Sequence, residues 1–485
     1  MARSGAALSA EQLAAVLAPD GPLLIVAGPG SGKTTVLAER IGELVRGHRR
    51  RPERILAFAF TRTAARTLRE RLVPRLGRRG AAAVRVTTCH AFGRAVVLRW
   101  HAALGYADSP VSVLAPAQAR AVLLAALGAV GHEPPPERAL HRVSAAVTAA
   151  RADAGEQADR GAIAVAAAYE RLLHAARALD YPGMLALPLR LFAERPDILA
   201  RHQRAYDEIL VDEFQDLSAP QYRLIGLLAG HHQHLTGVGD PLQTIYEFAG
   251  ASAANLLGFP RDYPRATVVE LRQNFRSTAK IVAAMNALAG PLPYGRTLWT
   301  ANALGPEPVR YAATDEADEA RFVAGEIAAL LARGEVAGPG EVAVLYRTNG
   351  QRAPLARALG ARGIPYGGPA APARVRLATI HAAKGGEWAA VFVVGLEEGL
   401  LPHRRALRDA GAAGATATTE TATILAAERH LAYVAVSRPR TRLYLTHCAR
   451  RAEARHPGDA AAPARPVRPS RFLLGLPAAP VGGPR

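Results

Sequence analysis

The sequence predicts an α/β protein with two parallel sheets covered by helices and a helical insertion in the first half. Three observations support this fold class. The apolar run Leu23–Ala27 stops abruptly at a Gly-rich loop that opens a helix. Short apolar runs alternate with helical patterns before residue 99 and again after residue 205. Several of these runs end in carboxylates, hydroxyls or amides, which are the ligand-binding groups found at the carboxyl edge of a parallel sheet.

The overall composition indicates a globular protein with a polyanionic partner. The 485 residues exceed what one hydrophobic core holds, and 49% of them are apolar. Lys and Arg number 60 against 41 Asp and Glu, so the net charge is +19 and the pI is near 10.7. Such a charge favours nucleic acid as a partner, although an Arg- and Ala-rich composition also results from a GC-rich genome.

The cysteines and the hydropathy indicate a cytoplasmic protein without a membrane segment. Cys89 and Cys448 are the only cysteines, which fits a reducing compartment better than a disulfide framework. The first ten residues lack the apolar core of a signal peptide, and no uninterrupted apolar run is long enough to span a bilayer. We find no cluster of Cys and His that would hold structural zinc.

The first strand leads into a predicted phosphate-binding loop. Glycines let backbone N–H groups surround phosphate oxygens, and the following helix directs its positive end at the same anion. In this pattern Lys33 reaches the β- and γ-phosphates, and the Thr34 hydroxyl holds Mg²⁺. One departure from this pattern is Ala27, which stands where the pattern has its first glycine. The alternative interpretation of the whole segment is an ordinary strand, turn and helix that binds no nucleotide. The predicted loop residues are Gly28, Pro29, Gly30, Ser31, Gly32, Lys33, Thr34 and Thr35.

Polar residues flank this loop in the first half of the chain. Gln12 presents its amide to an adenine edge, or it completes a helix capping box with Ser9. The strands Ile55–Phe60 and Val84–Thr88 deliver hydroxyls and aromatic rings to their carboxyl ends. These groups suit phosphates and stacked bases, although core packing and helix capping explain each one singly. The candidates are Phe60, Thr61, Arg62, Thr88 and His90.

Two further strands end in groups suited to nucleotide hydrolysis. The strand from Glu208 to Val211 is followed by Asp212, which holds Mg²⁺ through water, and by Glu213, which orients and deprotonates the attacking water. Helix capping is the alternative function of these two carboxylates. After the next strand, Gln243 is placed to hydrogen-bond the γ-phosphate or its water. Tyr246 and Phe248 follow as stacking groups, or as core aromatics.

The second half repeats the alternation of strands and helices. A second series starts at Thr267–Leu271 and predicts another parallel sheet. Its further strands are Val309–Ala312, Glu341–Tyr346, Val375–Thr379, Val391–Gly395 and Arg442–Thr446. The tail after residue 449 is rich in Ala, Pro and Arg, and we expect most of it to be disordered apart from residues 469–474, which are expected to dock.

Taken in order, these segments resemble the motif series of the UvrD/Rep/PcrA-like superfamily 1 DNA helicases over nearly the whole chain, from about Leu8 to Leu476. The resemblance implies two RecA-like motor lobes of the P-loop NTPase class, with ATP in the cleft between them and single-stranded DNA across both. It rests on Gln12, Ala27–Thr35, Asp212–Asp216, Gly239-Asp240, Gln243–Tyr246, Gln273–Ser277, His381–Gly385 and Tyr433–Arg438.

The resemblance also implies a role for each matched residue. Gln12 would read adenine, Phe275 would stack on it and Glu387 would contact the ribose. Arg276 and Arg438 would act as arginine fingers on the γ-phosphate, completing a catalytic set with Lys33, Glu213 and Gln243. The residues matching DNA contacts of the family are Phe60, Thr61, His90, Tyr246, Phe248 and His381, to which we add Arg62 and Thr88 from their position.

The same resemblance implies domain boundaries. Relatives insert a large accessory domain into the second lobe, but here residues 363–368 run within about ten residues into Val375, so we expect that domain to be absent. The predicted parts are residues 1–98 and 205–270 for the first lobe, 99–204 for a helical insertion, 271–448 for the second lobe and 449–485 for the tail.

The expected function is that of an ATP- and Mg²⁺-dependent DNA translocase or helicase moving 3′ to 5′ on single strands, in DNA repair or replication. Its partners would be single-stranded and partly duplex DNA and a repair or replication protein. Two alternatives remain open. One is a translocase that does not unwind duplex by itself, and the other is an ATP-gated factor that binds or displaces single strands.

Overall fold

The structure is a computed structural model. It describes residues 8–106, 112–152, 160–247, 250–292, 294–368, 371, 373–404, 417–452 and 464–481.

The strands lie where short apolar runs are bounded by Gly, Pro or polar residues. In chain order they are β1 (Leu23–Ala27), β2 (Ile55–Phe58), β3 (Arg85–Thr87), β4 (Ser112–Val113), β5 (Ala178–Leu179), β6 (Glu208–Val211), β7 (Leu235–Gly239), β8 (Thr267–Leu271), β9 (Val309–Ala313), β10 (Val342–Tyr346), β11 (Tyr366–Gly367), β12 (Val375–Thr379), β13 (Trp388–Val393), β14 (Pro439–Cys448), β15 (Arg450–Arg451), β16 (Arg465–Pro466) and β17 (Ala479–Val481).

The helices follow from Ala-, Leu- and Arg-rich stretches, and several begin at a capping Ser, Thr or Asp. They are α1 (Ala10–Val16), α2 (Lys33–Arg46), α3 (Arg62–Ala83), α4 (Cys89–Arg99), α5 (Pro116–Ala129), α6 (Glu137–Ala152), α7 (Arg160–Ala175), α8 (Gly183–Glu194), α9 (Pro196–Ala205), α10 (Ala219–Ala229), α11 (Ala253–Leu257), α12 (Phe259–Asp262), α13 (Ala279–Ala289), α14 (Glu316–Ala332), α15 (Arg352–Ala361) and α16 (Ala417–Val436).

Two large sheets organise these elements, as the sequence predicts. The six-stranded sheet has the order β3-β2-β6-β7-β1-β8, and β2 runs parallel to both β3 and β6. The seven-stranded sheet has the order β11-β12-β10-β13-β14-β9-β17, and all its neighbouring strands are parallel. The central strands β1, β6 and β10 are buried along their whole length, which is typical of a parallel sheet covered on both faces.

Two expectations about the strands require correction. The strand Thr267–Leu271 does not start the second sheet; it is β8 at the edge of the first sheet. Within its described residues, the tail is more ordered than its composition indicates, since β16 pairs with β15 and β17 pairs with β9. Phe472 and Leu473 are buried there because their apolar side chains pack into the core of the second sheet. The expected docking of residues 469–474 is therefore confirmed.

The predicted helical insertion consists mostly of helices α5 to α9. Its helices α5, α6 and α7 pack around a core of their own that includes Leu123, Val147 and Tyr169. The insertion also contains the short parallel pair β4 and β5, which the sequence analysis did not anticipate. Among the described residues, no helix is both long enough and apolar enough to cross a bilayer.

The chain forms two compact units. Unit 1 comprises Met1–Ile25, Thr34–Val238 and Ala249–Val269, and unit 2 comprises Val26–Lys33, Gly239–Phe248 and Glu270–Arg485. The insertion helices therefore belong to unit 1. The phosphate loop up to Lys33 belongs to unit 2, because its closest neighbours lie directly after β8. The predicted lobe boundaries, which assign this loop to the first lobe, stay a prediction.

Candidate functional site

The predicted phosphate loop follows β1 in a conformation that depends on glycine. Gly30 and Gly32 have φ angles of +69° and +82°, in the left-handed region that other residues rarely adopt. A Cβ atom on Gly30 would lie 2.7 Å from both Asn274 Nδ2 and Arg276 Cβ. Glycine is therefore required at position 30 both by the backbone conformation and by the close approach of residues 274–276. A glycine-rich loop that leads into a helix fits the phosphates of a nucleotide.

The segment that follows β8 holds the loop by hydrogen bonds. The Gly28 N–H donates to Leu271 O at 3.2 Å, and the Phe275 N–H donates to Gly30 O at 2.8 Å. The buried Asn274 amide donates to Pro29 O at 2.8 Å. Phe275 and Arg276, predicted from the motif series, are consequently next to the loop. The Phe275 ring is 43% exposed and remains accessible to a base.

Two loop side chains, Ser31 and Lys33, donate to the loop's own carbonyls. The Lys33 ammonium donates to Ala27 O and Gly28 O, both at 3.2 Å. The Ser31 hydroxyl donates to Gly28 O at 2.7 Å. These are main-chain acceptors, which an anionic phosphate outcompetes as a partner for an ammonium group. Thr34 and Thr35 follow in the first turn of α2, where backbone N–H groups lack helical partners.

The two predicted acidic residues follow β6. Asp212 is buried, and its Oδ1 accepts the Glu213 N–H at 3.0 Å. Glu213 has φ 52° and ψ 49°, a left-handed conformation that costs a non-glycine residue roughly 1–3 kcal/mol. The Gln215 amide donates to Glu213 Oε2 at 2.7 Å and orients that carboxylate. The Asp212 carboxylate and the Thr34 hydroxyl are the hard oxygen groups that Mg²⁺ requires, directly or through water.

A buried arginine contacts the predicted γ-phosphate sensor. The Arg438 guanidinium is almost fully buried, and its Nη2 donates to Gln243 Oε1 at 3.1 Å. The Gln243 amide in turn donates to Asp240 Oδ2 at 2.7 Å. Val434 O fixes the other side of Arg438 by accepting from its Nε at 2.9 Å. Two predicted catalytic residues, 195 positions apart in the sequence, are thus brought together.

Arg276 contacts another predicted nucleotide residue. Its Nε donates to Glu387 Oε2 at 2.8 Å, and its Nη1 donates to Ser437 O at 3.0 Å. The carboxylate of Glu387 also lies 3.8 Å from Arg440. Arg276 is thereby oriented by a carboxylate that the sequence analysis assigns to the ribose of ATP. Arg276 lies beside Gly30 of the phosphate loop, and Glu387 contacts Arg276.

Gln12 forms a helix capping box with Ser9, which is the alternative to an adenine contact in the sequence analysis. The Ser9 hydroxyl accepts the Gln12 N–H at 3.2 Å, and Gln12 Oε1 accepts the Ser9 N–H at 3.1 Å. The Gln12 side chain is buried. Its carbonyl oxygen serves the helix, so a role at adenine would depend on the amide NH₂ group.

The predicted DNA contacts in unit 1 lie after β2 and β3, which are parallel neighbours. Thr61 and Thr88 cap helices α3 and α4 by accepting the N–H groups of Ala64 and Ala91. Both threonines therefore cap helices, which the sequence analysis gives as the alternative to a contact with DNA. Phe60 and Arg62, beside Thr61, are exposed.

His90 has an aromatic partner that the sequence analysis missed. Its ring stacks on that of Tyr181 with 3.8 Å between centroids, and Tyr181 is 62% exposed. Burial lowers the pKa of His90 to about 4, so the ring is neutral at physiological pH. The local sequence gives one signal for Tyr181, an aromatic residue in the turn that precedes Pro182 and Gly183, but its pairing with His90 comes from the fold.

The predicted DNA contacts in unit 2 form a second cluster. The Tyr246 hydroxyl donates to His381 O at 3.3 Å. Lys384 Nζ lies 5.2 Å from the centroid of the Tyr246 ring and donates to Gln243 O at 2.6 Å. Desolvation lowers the pKa of His381 to about 4. Lys384 thus connects the stacking residue with Gln243; it occurs in the matched segment His381–Gly385 but was not predicted as a site residue. Phe248 lies outside the described residues.

Comparisons with known proteins give matches over both halves of the chain. Residues 8–264 match the family described as the UvrD/REP helicase N-terminal domain. Residues 269–368 and 369–450 match the UvrD-like helicase C-terminal domain, with no residue between the two stretches. Together with the two parallel sheets, these matches confirm the predicted fold class of two RecA-like lobes.

Several curated proteins are similar to this chain. It is 36% identical over 368 residues to ATP-dependent DNA helicase PcrA of Leuconostoc citreum, covering 73% of this chain and 49% of that protein. It is 35% identical over 372 residues to PcrA of Bacillus subtilis, with coverages of 74% and 50%. It is 34% identical over 385 residues to ATP-dependent DNA helicase UvrD1 of Mycobacterium leprae, with coverages of 74% and 49%. The chain spans about half the length of the curated relatives it matches.

Proposed function

Because the chain belongs to the UvrD/REP helicase family, we propose that it is an ATP- and Mg²⁺-dependent motor that moves 3′ to 5′ along single-stranded DNA and unwinds duplex. The observation that carries this proposal is the contact between Arg438 and Gln243. A motor needs a cation coupled to the group that senses the terminal phosphate, and the hydrogen bond from the buried Arg438 guanidinium to Gln243 supports such coupling.

In the proposed reaction Lys33 exchanges its two carbonyl partners for the β- and γ-phosphates. Glu213, oriented by Gln215, accepts a proton from the attacking water. Thr34 and Asp212 would hold Mg²⁺, which neutralises charge on the phosphates when it is bound. Arg276 and Arg438 stabilise the negative charge that develops at the terminal phosphate, and Gln243 positions the water.

The adenosine end of ATP would be bound by the remaining predicted residues. Phe275 stacks on the base, the Gln12 amide pairs with its edge and Glu387 accepts a hydrogen bond from the ribose. Glu387 Oε2 accepts from Arg276, and the same carboxylate has further lone pairs for the ribose hydroxyl. The pairing of Arg276 with Glu387 therefore supports a site in which one residue binds the ribose and the other the phosphates.

Single-stranded DNA would be bound by both clusters of aromatic and hydroxyl side chains. Phe60, His90 and Tyr246 offer ring faces for stacking, and Arg62 offers charge for phosphates. The net charge of +19 supports the same partner. We propose a cytoplasmic role in DNA repair or replication, with a repair or replication protein as a further partner.

The test compares ATP hydrolysis with and without single-stranded DNA in the unaltered chain and in Glu213→Gln. We expect DNA to stimulate hydrolysis severalfold or more. Glu213→Gln should lower the stimulated rate by at least about 100-fold, because it removes the general base, while ATP binding persists. If Glu213→Gln hydrolyses ATP normally, or DNA has no effect on the rate, the motor proposal is wrong. A chain that binds DNA in an ATP-gated manner would keep its biological effect in Glu213→Gln.

A translocase that does not separate strands by itself is the second candidate. The accessory domain that relatives insert in the second lobe, which the sequence analysis expects to be absent here, is associated with duplex contacts. Here those matches abut at residues 368 and 369, and only seven residues separate β11 from β12. A tailed-duplex unwinding assay distinguishes the candidates: release of the strand supports the helicase, and DNA-stimulated hydrolysis without release supports the translocase.

A further inference from the structure

Unit 1 contains exposed arginines that lie over aromatic rings and that the proposed function does not use. The Cζ atoms of Arg99 and Arg201 lie 5.5 Å and 5.6 Å from the centroid of the Trp100 ring, where the end of α4 meets α9. The Trp100 indole N–H donates to His202 Nε2 at 3.2 Å. Arg99 and Arg201 are exposed, whereas Trp100 is half-buried. Each exposed cation is therefore held against a ring that is itself fixed by a hydrogen bond.

A third exposed arginine belongs to the same group of side chains. The Cζ atom of Arg85 lies 5.1 Å from the centroid of the Phe92 ring, and its Nη1 donates to the Tyr206 hydroxyl at 2.6 Å. The Phe92 ring contacts that of His202, with 5.9 Å between centroids. His202 thus connects the two parts, and we refer to Arg85, Arg99 and Arg201 together as the arginine cluster.

The positive charge of the arginine cluster is not offset by a nearby acid. Among the residues that the structure describes, no carboxylate forms an ion pair with Arg85, Arg99 or Arg201. Burial lowers the pKa of His202 to about 4, and the charges of Arg85 and Arg99 lower it further. The cluster therefore presents three positive charges to the solvent.

The arginine cluster lies at the amino edge of the first sheet. Arg85 is the first residue of β3, and Tyr206 comes two residues before β6. Both strands run parallel to β2, so these two residues mark the same edge. Phe60 and His90, which are predicted to contact single-stranded DNA, follow the opposite, carboxyl ends of β2 and β3. Within unit 1 the cluster is thus separate from the predicted single-strand contacts.

The exposed groups of the cluster favour a phosphate backbone as their partner. Binding of single strands relies on free ring faces, but two guanidinium groups lie over Trp100 and Phe92 is fully buried. A protein partner would need an apolar centre, which these covered rings do not provide. Duplex DNA keeps its bases inside and presents phosphates, which arginine binds without reading the sequence.

On the basis of the proposed function, we propose that the arginine cluster binds the phosphate backbone of double-stranded DNA. This contact is additional to the grip on the single strand at the carboxyl edge. It requires neither ATP nor a single-stranded tail. Each phosphate that an arginine neutralises adds about 0.9 to the slope of log affinity against log salt.

The test measures binding of a blunt-ended, fluorescently labelled duplex by anisotropy at several salt concentrations. The double variant Arg99→Gln with Arg201→Gln should bind the duplex about tenfold more weakly, and its salt slope should be smaller by about 2. The matched control is Arg195→Gln with Arg261→Gln. It removes two exposed arginines of unit 1 that are already paired with Asp197 and Asp262, so both quantities should change little.

Single-strand affinity and single-strand-stimulated ATP hydrolysis should be the same in both double variants as in the unaltered chain. A further variant, Arg99→Lys with Arg201→Lys, keeps the charges and should bind duplex more tightly than the glutamine variant. Such a recovery, together with equal melting temperatures, excludes a folding defect as the cause of the loss.

Three results would overturn this assignment. If the glutamine variant binds duplex as tightly as the control variant, the cluster does not contact duplex, and an acidic protein segment is the remaining partner. If single-strand affinity falls by the same factor, the cluster is not a separate duplex site. If the unaltered chain does not bind a blunt duplex, the inference fails, whereas single-strand-stimulated ATP hydrolysis would still support the proposed function.

Discussion

Two cationic side chains at the phosphate loop are each held by a protein group that a phosphate can replace or supplement. Lys33 donates to two carbonyls of its own loop, and Arg276 pairs with Glu387. Arg438 differs, because it is buried and bonded on several sides. Lys33 and Arg276 can change partners at small cost, whereas displacing Arg438 disturbs its surroundings.

We therefore predict that Arg438 and Gln243 act as a coupled pair. Each single alanine variant should lower kcat for DNA-stimulated hydrolysis by about 100-fold or more, since a preorganised group at the developing charge is lost. The double variant should be little worse than either single one, which a double-mutant cycle on kcat measures.

Folding must be monitored in that cycle because Arg438 is buried. Arg438→Lys keeps the charge but loses the fork geometry, and its melting temperature indicates how much of the effect is structural. Multiplicative losses of kcat in the double variant would show that the hydrogen bond between these residues is not used in catalysis.

The sequence predicts most of the loop residues and fails where a role depends on distant neighbours. Lys33 and Thr34 are identified by a local pattern with a physical reason at each position. The pairing of Tyr181 with His90 follows from no such pattern, because the two residues lie far apart in sequence. The sequence also could not decide whether Gln12 caps a helix or contacts adenine, because the same side chain fits both patterns.

Among the secondary-structure elements, the strands themselves could be predicted more reliably than the neighbouring strands with which they pair in a sheet. The period and bounds of Thr267–Leu271 indicate a strand, but a five-residue run contains no information on which sheet it joins. The tail shows a related limit. Its composition is typical of a disordered segment, yet β16 and β17 pair with other strands, and composition does not reveal such partners.

The docked tail gives a prediction for stability. Phe472 is 1% exposed in the core of the second sheet, and the Arg429 guanidinium lies 5.0 Å from its ring centroid. Phe472→Ala should lower the free energy of unfolding by about 3–5 kcal/mol, because it leaves a cavity in that core. Denaturant unfolding measures this loss.

Leu474 provides the control, since it is 73% exposed two residues further on. Leu474→Ala should change the free energy of unfolding by less than about 0.5 kcal/mol. If Phe472→Ala is equally mild, the tail does not contribute its apolar side chains to the core in solution.

For the whole molecule, histidines that are partly or fully shielded from water predict an acid-sensitive fold. Burial lowers the pKa of five of them to about 4, so they are neutral in the folded protein: His90, His202, His232, His381 and His430. The unfolded chain has histidine pKa values near 6.5 and binds more protons between these two values. Stability from the neutral histidines is thus complete above about pH 6.5 and is lost as the pH falls towards about 4.

We expect the melting temperature to be lower at pH 5 than at pH 7, as measured by thermal unfolding at constant ionic strength. His430 is 4% exposed, and its Nδ1 lies 3.3 Å from Thr244 O. His430→Gln cannot titrate, so its melting temperature should decline less over the same interval. An equal melting temperature at both pH values would contradict the assignment of these rings as buried and neutral.

The hydrogen bonds between the loop after β1 and the residues Leu271, Asn274 and Phe275 have a further consequence. A loop whose backbone is already fixed by its neighbours loses little configurational entropy when a ligand enters. The free energy of the phosphate contacts then appears almost undiminished as affinity, because the ordering cost was met during folding. A substitution of Asn274 that removed its hydrogen bond to the loop would weaken nucleotide binding, although Asn274 is not among the groups proposed to contact the nucleotide.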